Sequence, residues 1–429
     1  MDNEKEIKKN QKKAKDVLND ENRLMDLLKK AISKSKNRSK ELKEDVVTSV
    51  QLIKDWKNND YKNVSKKTIL SLLAGIIYFV NPFDLIPDFL LHFGFIDDIG
   101  VMTFVMSQFK TEINNYRLYK EGKDMNDDIL NNYKGSMLGL AVGDALGSTL
   151  EFMEKDDLED GYIHSEIIGQ GKLNLAKGEW TDDTSMALCL AQSLIDKKGF
   201  DANDQMEKYT RWYENGYMSP KNKCVDIGMG TLRALGTYKR TQDPYGFNDT
   251  ESLGNGSIMR LAPVTLYFHP DINSALNYSE ESSKPTHPGN LCLQSCRALS
   301  LIIFKAIEGE TKDKILNIET PEEFGITDFE VINLLKGGYK SKNEDEINNS
   351  GFVLTTLEAA LWCFYHTDNF EDALIKAVNL CGDADTIGAV CGQIAGAYYG
   401  YDAIPERWLE SILKRDLIEE KAMQMYNKS

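Results

Sequence analysis

The sequence is poor in cysteine and has no long apolar run. Its seven cysteines show no paired spacing, so we expect reduced and mostly buried thiols rather than a disulfide framework. The apolar stretch 69–80 is shorter than the roughly 20 residues that span a bilayer, so no transmembrane helix is expected. The charged N-terminus also lacks an apolar signal core, which favours a cytoplasmic protein.

Zinc-type ligand sets and β-strand patterns are scarce too. Cys292 and Cys296 lie one helical turn apart and near His287, but no fourth ligand accompanies them, so we expect small core residues rather than a zinc site. After residue 133, helical runs alternate with glycine, proline and asparagine breaks, and few segments alternate as strands do. These patterns predict an all-α fold.

Charge is divided unevenly along the chain. Residues 1–67 contain 19 Lys and Arg against 12 Asp and Glu, the remainder contains 32 against 55, and the whole chain has a net charge of −16. An acidic bulk argues against extended contacts with a nucleic-acid duplex, because phosphate neutralisation needs clustered lysine and arginine. The basic N-terminal stretch is typical of a solvated helix face, with contact to nucleic acid, anionic lipid or another unknown partner as the alternative.

Two acidic clusters, residues 181–184 and 382–386, each place carboxylates and a hydroxyl within one turn. Carboxylates this close repel one another unless a cation lies between them, and hard oxygen ligands suit Mg²⁺, Ca²⁺ or Mn²⁺ rather than Zn²⁺. Helix capping is the alternative, but a cap needs one oxygen and each cluster supplies several, so we favour a shared two-metal site. The candidate metal ligands are Thr181, Asp182, Asp183, Asp383, Asp385 and Thr386.

These clusters belong to a longer series of motifs. In chain order the series contains GDALG (143–147) with EF (151–152), GEWTDDT (178–184), GNGSIMR (254–260), THP (286–288) and GDADTIG (382–388). Together these motifs resemble the ADP-ribosylglycohydrolase family from about Tyr133 to the C-terminus. The resemblance implies a large orthogonal all-helical domain, a centre of two Mg²⁺ ions with Mn²⁺ as the alternative, and hydrolytic removal of ADP-ribose.

The resemblance also implies roles for individual residues. It makes Asp385 the bridge between the ions and places Glu151 near them, where this residue gates access and could assist proton transfer. The implied catalytic residues are Glu151, Asp182, Asp183 and Asp385. The turn 254–257 is predicted to bind phosphate through exposed N–H groups, with a plain turn and helix cap as the alternative. The candidate substrate-binding residues are Gly254, Asn255, Gly256, Ser257, Arg260 and His287.

Glycine recurs at every fourth position in two helical segments, 135–147 and 388–396. Glycine inside a helix costs about 1 kcal/mol relative to alanine, so this repetition needs a compensating reason. We expect a close approach of helix backbones next to the acidic motifs, which have to converge.

Three segments are predicted along the chain: a charged helical extension at 1–65, a small helical domain at 66–125 and the large domain at 133–429, with a polar linker at 121–132. The sequence NPFDLIPD at 81–88 resembles a small helical domain family of unknown function. Its prolines predict a tight connection between helices. The acidic residues at 84, 88, 97 and 98 are interpreted as capping and turn residues rather than a second metal site.

The predicted function is hydrolysis of the glycosidic bond at the anomeric carbon of the distal ribose in an ADP-ribosylated protein, nucleic acid or small molecule. A dimetal phosphohydrolase is the alternative enzyme, because the same oxygen ligands serve phosphate chemistry. A non-catalytic ADP-ribose-binding module is the third hypothesis, although every expected acidic position is present. No motif identifies the linkage to the target.

Overall fold

A computed structural model describes residues 14–18, 20–36, 40–58, 60–61, 64–80, 113, 116–117, 120 and 125–428. Regular structure in these residues is helical, and β pairing among them is limited to two isolated bridges. The all-α prediction is therefore confirmed. The chain divides into two compact units, Met1–Met125 and Asn126–Ser429.

The first unit is built on an apolar cluster shared by three helices. These helices are α1 (Glu21–Ser35), α2 (Lys40–Lys57) and α3 (Lys66–Val80). Leu24 and Leu28 lie one turn apart on α1 and are buried with apolar residues of α2 and α3. The predicted connection at 81–88 and the acidic residues at 84, 88, 97 and 98 lie outside the described residues. The three-segment division stays a prediction.

The second unit is a helical assembly that begins with a long helix at its N-terminal boundary. Its helices are α4 (Met125–Gly147), α5 (Asp182–Lys197), α6 (Ala202–Asn215), α7 (Met229–Thr241), α8 (Ala262–Phe268), α9 (Ile272–Ser283), α10 (Asn290–Ile307), α11 (Lys312–Ile315), α12 (Phe329–Leu335), α13 (Val353–Tyr365), α14 (Phe370–Val378), α15 (Ala384–Tyr399), α16 (Glu406–Leu409) and α17 (Arg415–Tyr426). Short 3₁₀ turns occur at Lys155–Asp157, Pro321–Phe324, Gly338–Ser341, Glu344–Glu346 and Tyr401–Ala403.

Helices α4 and α15 run antiparallel with their backbones in contact. A Cβ atom added to Gly139 would lie 2.2 Å from the carbonyl oxygen of Gly392, and one added to Gly392 would lie 2.0 Å from that of Gly139. Gly143 and Gly388 face each other in the same way. No side chain fits at such distances, so the predicted close approach is confirmed. This contact places the N-terminus of α15 beside the C-terminus of α4. The GDALG and GDADTIG motifs are thereby brought together.

Helix α10 is an apolar core helix. Among the described residues it is the one helix long and apolar enough to cross a membrane, but 78% of it is buried inside the unit. It packs against α8, α9, α13 and α15. Cys292 and Cys296 are buried on it, as expected for core residues, and all seven cysteines are free thiols.

The polar residues 125–132, expected to belong to a linker, form the first turns of α4 instead. A polar side chain of this segment makes a long-range hydrogen bond: the Asp402 N–H donates to Asn131 Oδ1 at 3.2 Å. Asn131 thereby binds the turn that follows α15. Composition alone does not separate such a residue from one in a flexible connection.

Candidate active site

A cavity of about 680 Å³ opens where the N-termini of α5, α7 and α15 meet. Six acidic residues line it, and among the residues that the structure describes no lysine or arginine does. The six are Glu151, Glu154, Asp182, Asp226, Asp383 and Asp385. Because like charges this close repel one another, the cavity favours the binding of cations.

Three of these residues form a tight group. Glu151, Asp383 and Asp385 each contribute one carboxylate oxygen, and the three oxygens lie within 4.8 Å of one another. The Asp385 N–H donates to Glu151 Oε2 at 3.3 Å, and Asn255 donates its side-chain N–H to Asp383. Oxygen atoms at this spacing match the ligand sphere of a hard divalent cation.

A backbone bridge holds Glu151 against the start of α15. The Phe152 N–H donates to the Gly382 carbonyl at 2.7 Å, and the Gly382 N–H donates to the Met153 carbonyl at 2.7 Å. Gly382 has a φ of +67°, and a Cβ there would lie 2.5 Å from the carbonyl oxygen of Asn349. Glycine is therefore required at this turn, and the turn places Glu151 beside Asp385.

The start of α5 is capped by a residue from another helix. Asp144 on α4 accepts four hydrogen bonds: from the N–H of Thr181 (2.9 Å), the hydroxyl of Thr181 (3.0 Å), the N–H of Thr184 (3.0 Å) and the hydroxyl of Thr184 (2.6 Å). Thr181, the N-cap residue itself, makes no side-chain cap bond. Asp182 and Asp183 are thereby left for another role.

The first cluster has more acceptors than donors. The Thr181 hydroxyl lies 3.3 Å from Asp183 Oδ2 and 3.2 Å from Asp385 Oδ2, besides its contact with Asp144, yet it has one hydrogen to give. Asp183 Oδ1 is buried without any hydrogen-bond partner. A buried carboxylate oxygen needs a partner, and the surrounding donor set is all oxygen, so these residues fit Mg²⁺ or Mn²⁺.

Burial raises the pKa of five carboxyl groups at or just behind the cavity. It holds the pKa values of Asp182, Asp183 and Asp385 well above their usual range, and neighbouring carboxylates add to the effect. Burial also raises the pKa of Glu151 to about 8 and that of Asp383 to about 6. Without a cation the centre therefore retains protons, and cation binding would release them.

The structure brings most, but not all, of the predicted ligand-binding residues to the cavity. Gly254, Asn255, Gly256 and His287 line it, as do Asp182, Thr386 and the group of three carboxylates described above. Thr181 and Asp183 lie buried just behind, in hydrogen-bond contact with Asp385 or with each other.

Arg260 and Ser257 are not among the cavity-lining residues, contrary to the predicted phosphate turn. Arg260 is 1% exposed, and its guanidinium lies over the Tyr209 ring at 4.7 Å. The turn is also not a helix start, because α8 begins only at Ala262. Arginine is buried here because aromatic and hydroxyl partners replace its water, which the sequence alone does not reveal.

Sequence reasoning missed two acidic residues and one helix start at this site. Asp144 lies inside the GDALG motif, three residues before the end of α4 at Gly147, and its place in this motif was the available signal. Asp226 lines the cavity from an isolated loop position with a φ of +55°, and no cluster marks it. Helix α7 begins after Gly228 without a side-chain cap, and residues 229–231 line the cavity.

Comparison with known proteins relates this geometry to a family. The profile described as ADP-ribosylglycohydrolase matches residues 125–429, and a profile for a protein of unknown function, DUF1232, matches residues 68–104. ADP-ribosylarginine hydrolase Tri1 of Serratia proteamaculans is 40% identical over 298 residues, which cover 69% of this chain and 79% of that protein. ADP-ribosyl-[dinitrogen reductase] glycohydrolase of Rhodospirillum rubrum is 34% identical over 285 residues, covering 65% and 89%.

A solved structure gives the same result. The chain described as an ADP-ribosylglycohydrolase-related protein complex has a TM-score of 0.62 and 39% sequence identity to this chain. The match covers 71% of this chain and 99% of that chain. The fold and the motifs thus agree on one family.

Proposed function

The chain belongs to the ADP-ribosylglycohydrolase family of hydrolases, and from this premise we propose that it removes ADP-ribose from arginine side chains with the help of bound Mg²⁺. The observation that carries the proposal is the convergence of carboxylate oxygens from Glu151, Asp383 and Asp385 at the cavity. Arginine as the acceptor is supported by the two ADP-ribosylarginine hydrolases, from Serratia proteamaculans and Pseudomonas putida, at 40% and 36% identity.

The residues that would hold two Mg²⁺ ions are those of the two acidic clusters. Asp183 has a free buried oxygen, and Thr181 and Asp385 lie next to it. Bound magnesium supplies positive charge and makes water a better nucleophile at neutral pH. Mn²⁺ suits the same oxygen donors.

The pyrophosphate of ADP-ribose is assigned to backbone amides. The cavity contains no lysine or arginine among its described lining residues, so phosphate charge has to be met by N–H groups and cations. The uncapped start of α7 at Met229 offers such N–H groups and the positive end of a helix dipole. The glycines at 254 and 256 leave room for close approach of the ligand.

Glu151 is assigned to proton transfer. It is 2% exposed, lines the cavity, and its raised pKa keeps a proton available near neutral pH. In the proposed reaction the oxygen of water attacks the anomeric carbon, and the bond from that carbon to the guanidine nitrogen breaks. The electron pair stays on the nitrogen, which takes a proton from Glu151, while a carboxylate takes the proton of the water.

Product analysis on defined substrates tests this proposal. We expect free ADP-ribose from arginine-linked ADP-ribose with Mg²⁺ present and none after thorough chelation. Release of AMP, with ribose phosphate left attached to the arginine, would instead support a dimetal phosphohydrolase. Binding of ADP-ribose without release from any linkage would support the non-catalytic module.

We also propose that the first unit is dispensable for hydrolysis and affects the choice of partner or location. The family profile begins at residue 125, and Asn126–Ser429 forms a compact unit of its own. A chain that begins at Asn126 should fold and cleave a small ADP-ribosylated substrate within about twofold of the full rate. A folded but inactive shortened protein would show that the first unit completes the active site.

A further inference from the structure

A chain of buried polar groups connects Arg260 to the cavity, and the proposed reaction does not use it. Arg260 Nη2 donates to the Thr286 hydroxyl at 2.6 Å, and the same hydroxyl oxygen lies 2.9 Å from His287 Nδ1. Arg260, Thr286 and His287 are 1%, 0% and 4% exposed. Bulk water therefore does not compete for the hydroxyl, and the hydrogen bonds among these groups decide where its hydrogen points.

The direction of each hydrogen bond follows from the chemistry of the groups. Guanidinium has only donors, so the Thr286 oxygen accepts from Arg260. The hydroxyl has one hydrogen, and His287 Nδ1 is the other hydrogen-bonding partner that the structure gives it within the described part of the chain. The hydroxyl therefore donates to Nδ1, which has to be unprotonated. A neutral imidazole of this kind carries its hydrogen on Nε2.

His287 Nε2 lies among three glycines that line the cavity. A Cβ atom added to Gly256, Gly230 or Gly254 would lie 2.9, 3.3 or 3.7 Å from Nε2. No protein group among the described residues forms a hydrogen bond with Nε2. The absence of side chains at these three positions leaves space next to an N–H donor that has no partner in the chain.

We propose that Arg260 and Thr286 are positioning residues that hold His287 as a neutral Nε2–H donor to an oxygen of bound ADP-ribose. The identity of the ligand rests on the proposed function, whereas the tautomer of His287 does not. This relay of Arg260, Thr286 and His287 also gives one physical reason for the joint presence of the GNGSIMR and THP motifs, which supply its two ends and two of the three glycines.

The electrostatics agree with a neutral imidazole. Burial, together with the positive charge of Arg260, lowers the pKa of His287 to about 3. A protonated ring would be drawn to the carboxylates of the cavity and would repel the cations proposed there. A neutral donor avoids both effects and still recognises a ligand oxygen.

The tautomer is measured directly by long-range ¹H–¹⁵N correlation spectra of the full-length protein, with the His287 signals assigned by their loss in His287→Gln. We expect Nδ1 to show the shift of an unprotonated nitrogen and Nε2 that of a protonated one, unchanged from pH 8 to pH 5. A protonated Nδ1, or a ring that titrates above pH 5, would overturn the relay. The tautomer itself is read from the wild-type protein, and His287→Gln serves only to assign the signals.

Two variants then connect the relay to binding, because Thr286 is not among the residues that line the cavity. Thr286→Val removes the hydroxyl, and Thr286→Ser keeps it. With Mg²⁺ present, we expect Thr286→Val to weaken ADP-ribose binding about tenfold and to change the Nδ1 signal, and Thr286→Ser to stay within about twofold. Unchanged affinity and spectrum in Thr286→Val, or equal losses in both variants, would overturn the positioning role.

Failure of the proposed function would look different. If the wild-type protein does not bind ADP-ribose, the ligand assigned to His287 is wrong even when the Nε2–H tautomer is observed. If ADP-ribose binds and is released from arginine while Nδ1 is protonated, the relay is wrong and the proposed function stands.

Discussion

Helix N-termini at the cavity differ from four helix N-termini elsewhere in the second unit. Four helices away from it begin after residues whose own side chains accept N–H groups of the first turn: Asp201, Asp271, Asp328 and Asn369. The three helices that start at the cavity follow Thr181, Gly228 and Asp383, and none of these makes a side-chain cap bond. Other helices away from the cavity, such as those that follow Leu261, Gly289 and Phe352, also begin without a side-chain cap bond. The three cavity helices differ from these because residues of their first turns line the cavity.

The missing cap bonds of Thr181 and Asp383 bear on the two interpretations of the acidic clusters. Helix capping was the alternative to a cation site, and it is wrong for the N-cap residues, because neither Thr181 nor Asp383 caps its own helix. Asp144 caps α5 from another helix, which leaves Asp182 and Asp183 without a capping duty. The two-metal site itself stays a prediction, and the following variants test it.

The largest expected effect is on turnover. Asp385→Asn should lower Mg²⁺-dependent ADP-ribose release more than about 100-fold, because it removes a charge from the centre of the cluster. Asp328→Asn removes one charge from an ordinary N-cap, where asparagine caps equally well, and should leave turnover unchanged. Initial rates and thermal unfolding of both variants check this. Equal activity of the two would mean that the cavity helix starts have no special role.

A second pair of variants tests how the cavity helices are brought together. Gly392→Ala should cost about 3 kcal/mol of unfolding free energy or prevent folding, because its Cβ would meet the Gly139 carbonyl. Gly236→Ala on α7 meets no atom within 4 Å and should be neutral or stabilising by up to about 1 kcal/mol. Urea unfolding measures both. A stable Gly392→Ala protein would contradict the backbone contact between α4 and α15.

Asp144→Asn should have a smaller effect on stability. The amide group would place donors opposite the N–H groups or hydroxyls of Thr181 and Thr184, which costs about 1–3 kcal/mol. Turnover should fall too, since Asp182 and Asp183 follow this cap directly. Asp271→Asn, at an N-cap where asparagine serves as well, is the control. If both variants unfold at the same urea concentration, Asp144 does not hold the start of α5.

The smallest expected effect is a pH dependence of stabilisation by Mg²⁺. The raised pKa of Asp383 means that the folded, cation-free protein loses stability as the pH rises from about 3.8 to 6, because the unfolded chain gives up its proton first. Mg²⁺ binds the deprotonated form, so the increase in Tm on its addition should be larger at pH 8 than at pH 5.

The pKa shift of His287 has the opposite effect on the pH dependence of stability. This effect is the same with and without Mg²⁺, so it cancels when the two Tm values at one pH are compared. The lowered pKa of His287 costs stability below about pH 6.5, with or without Mg²⁺. Thermal unfolding is therefore measured at both pH values, with Mg²⁺ and with a chelator. The difference in Tm between the two conditions at each pH gives the stabilisation by Mg²⁺. Equal increases in Tm at pH 5 and pH 8 would contradict a carboxylate site with raised pKa values.

The sequence alone determined the helical class, the glycine-mediated helix contact and the residues of the two acidic clusters. Helical periodicity is local, and a glycine repeat at helical spacing has few explanations other than close packing. The motifs were also sufficient to identify the family, which the comparisons confirm for residues 125–429.

Tertiary structure alone decided which side chains line the cavity and which buried side chains form hydrogen bonds that support the lining residues. Arg260 looked like a phosphate ligand in its motif but is turned onto Tyr209 and Thr286, while Asp144 caps a helix that starts 38 residues later. Residues 125–132 looked like a linker and form a helix. In each case the partner lies far away in sequence, and because burial and hydrogen bonding depend on that partner, local pattern does not determine the outcome.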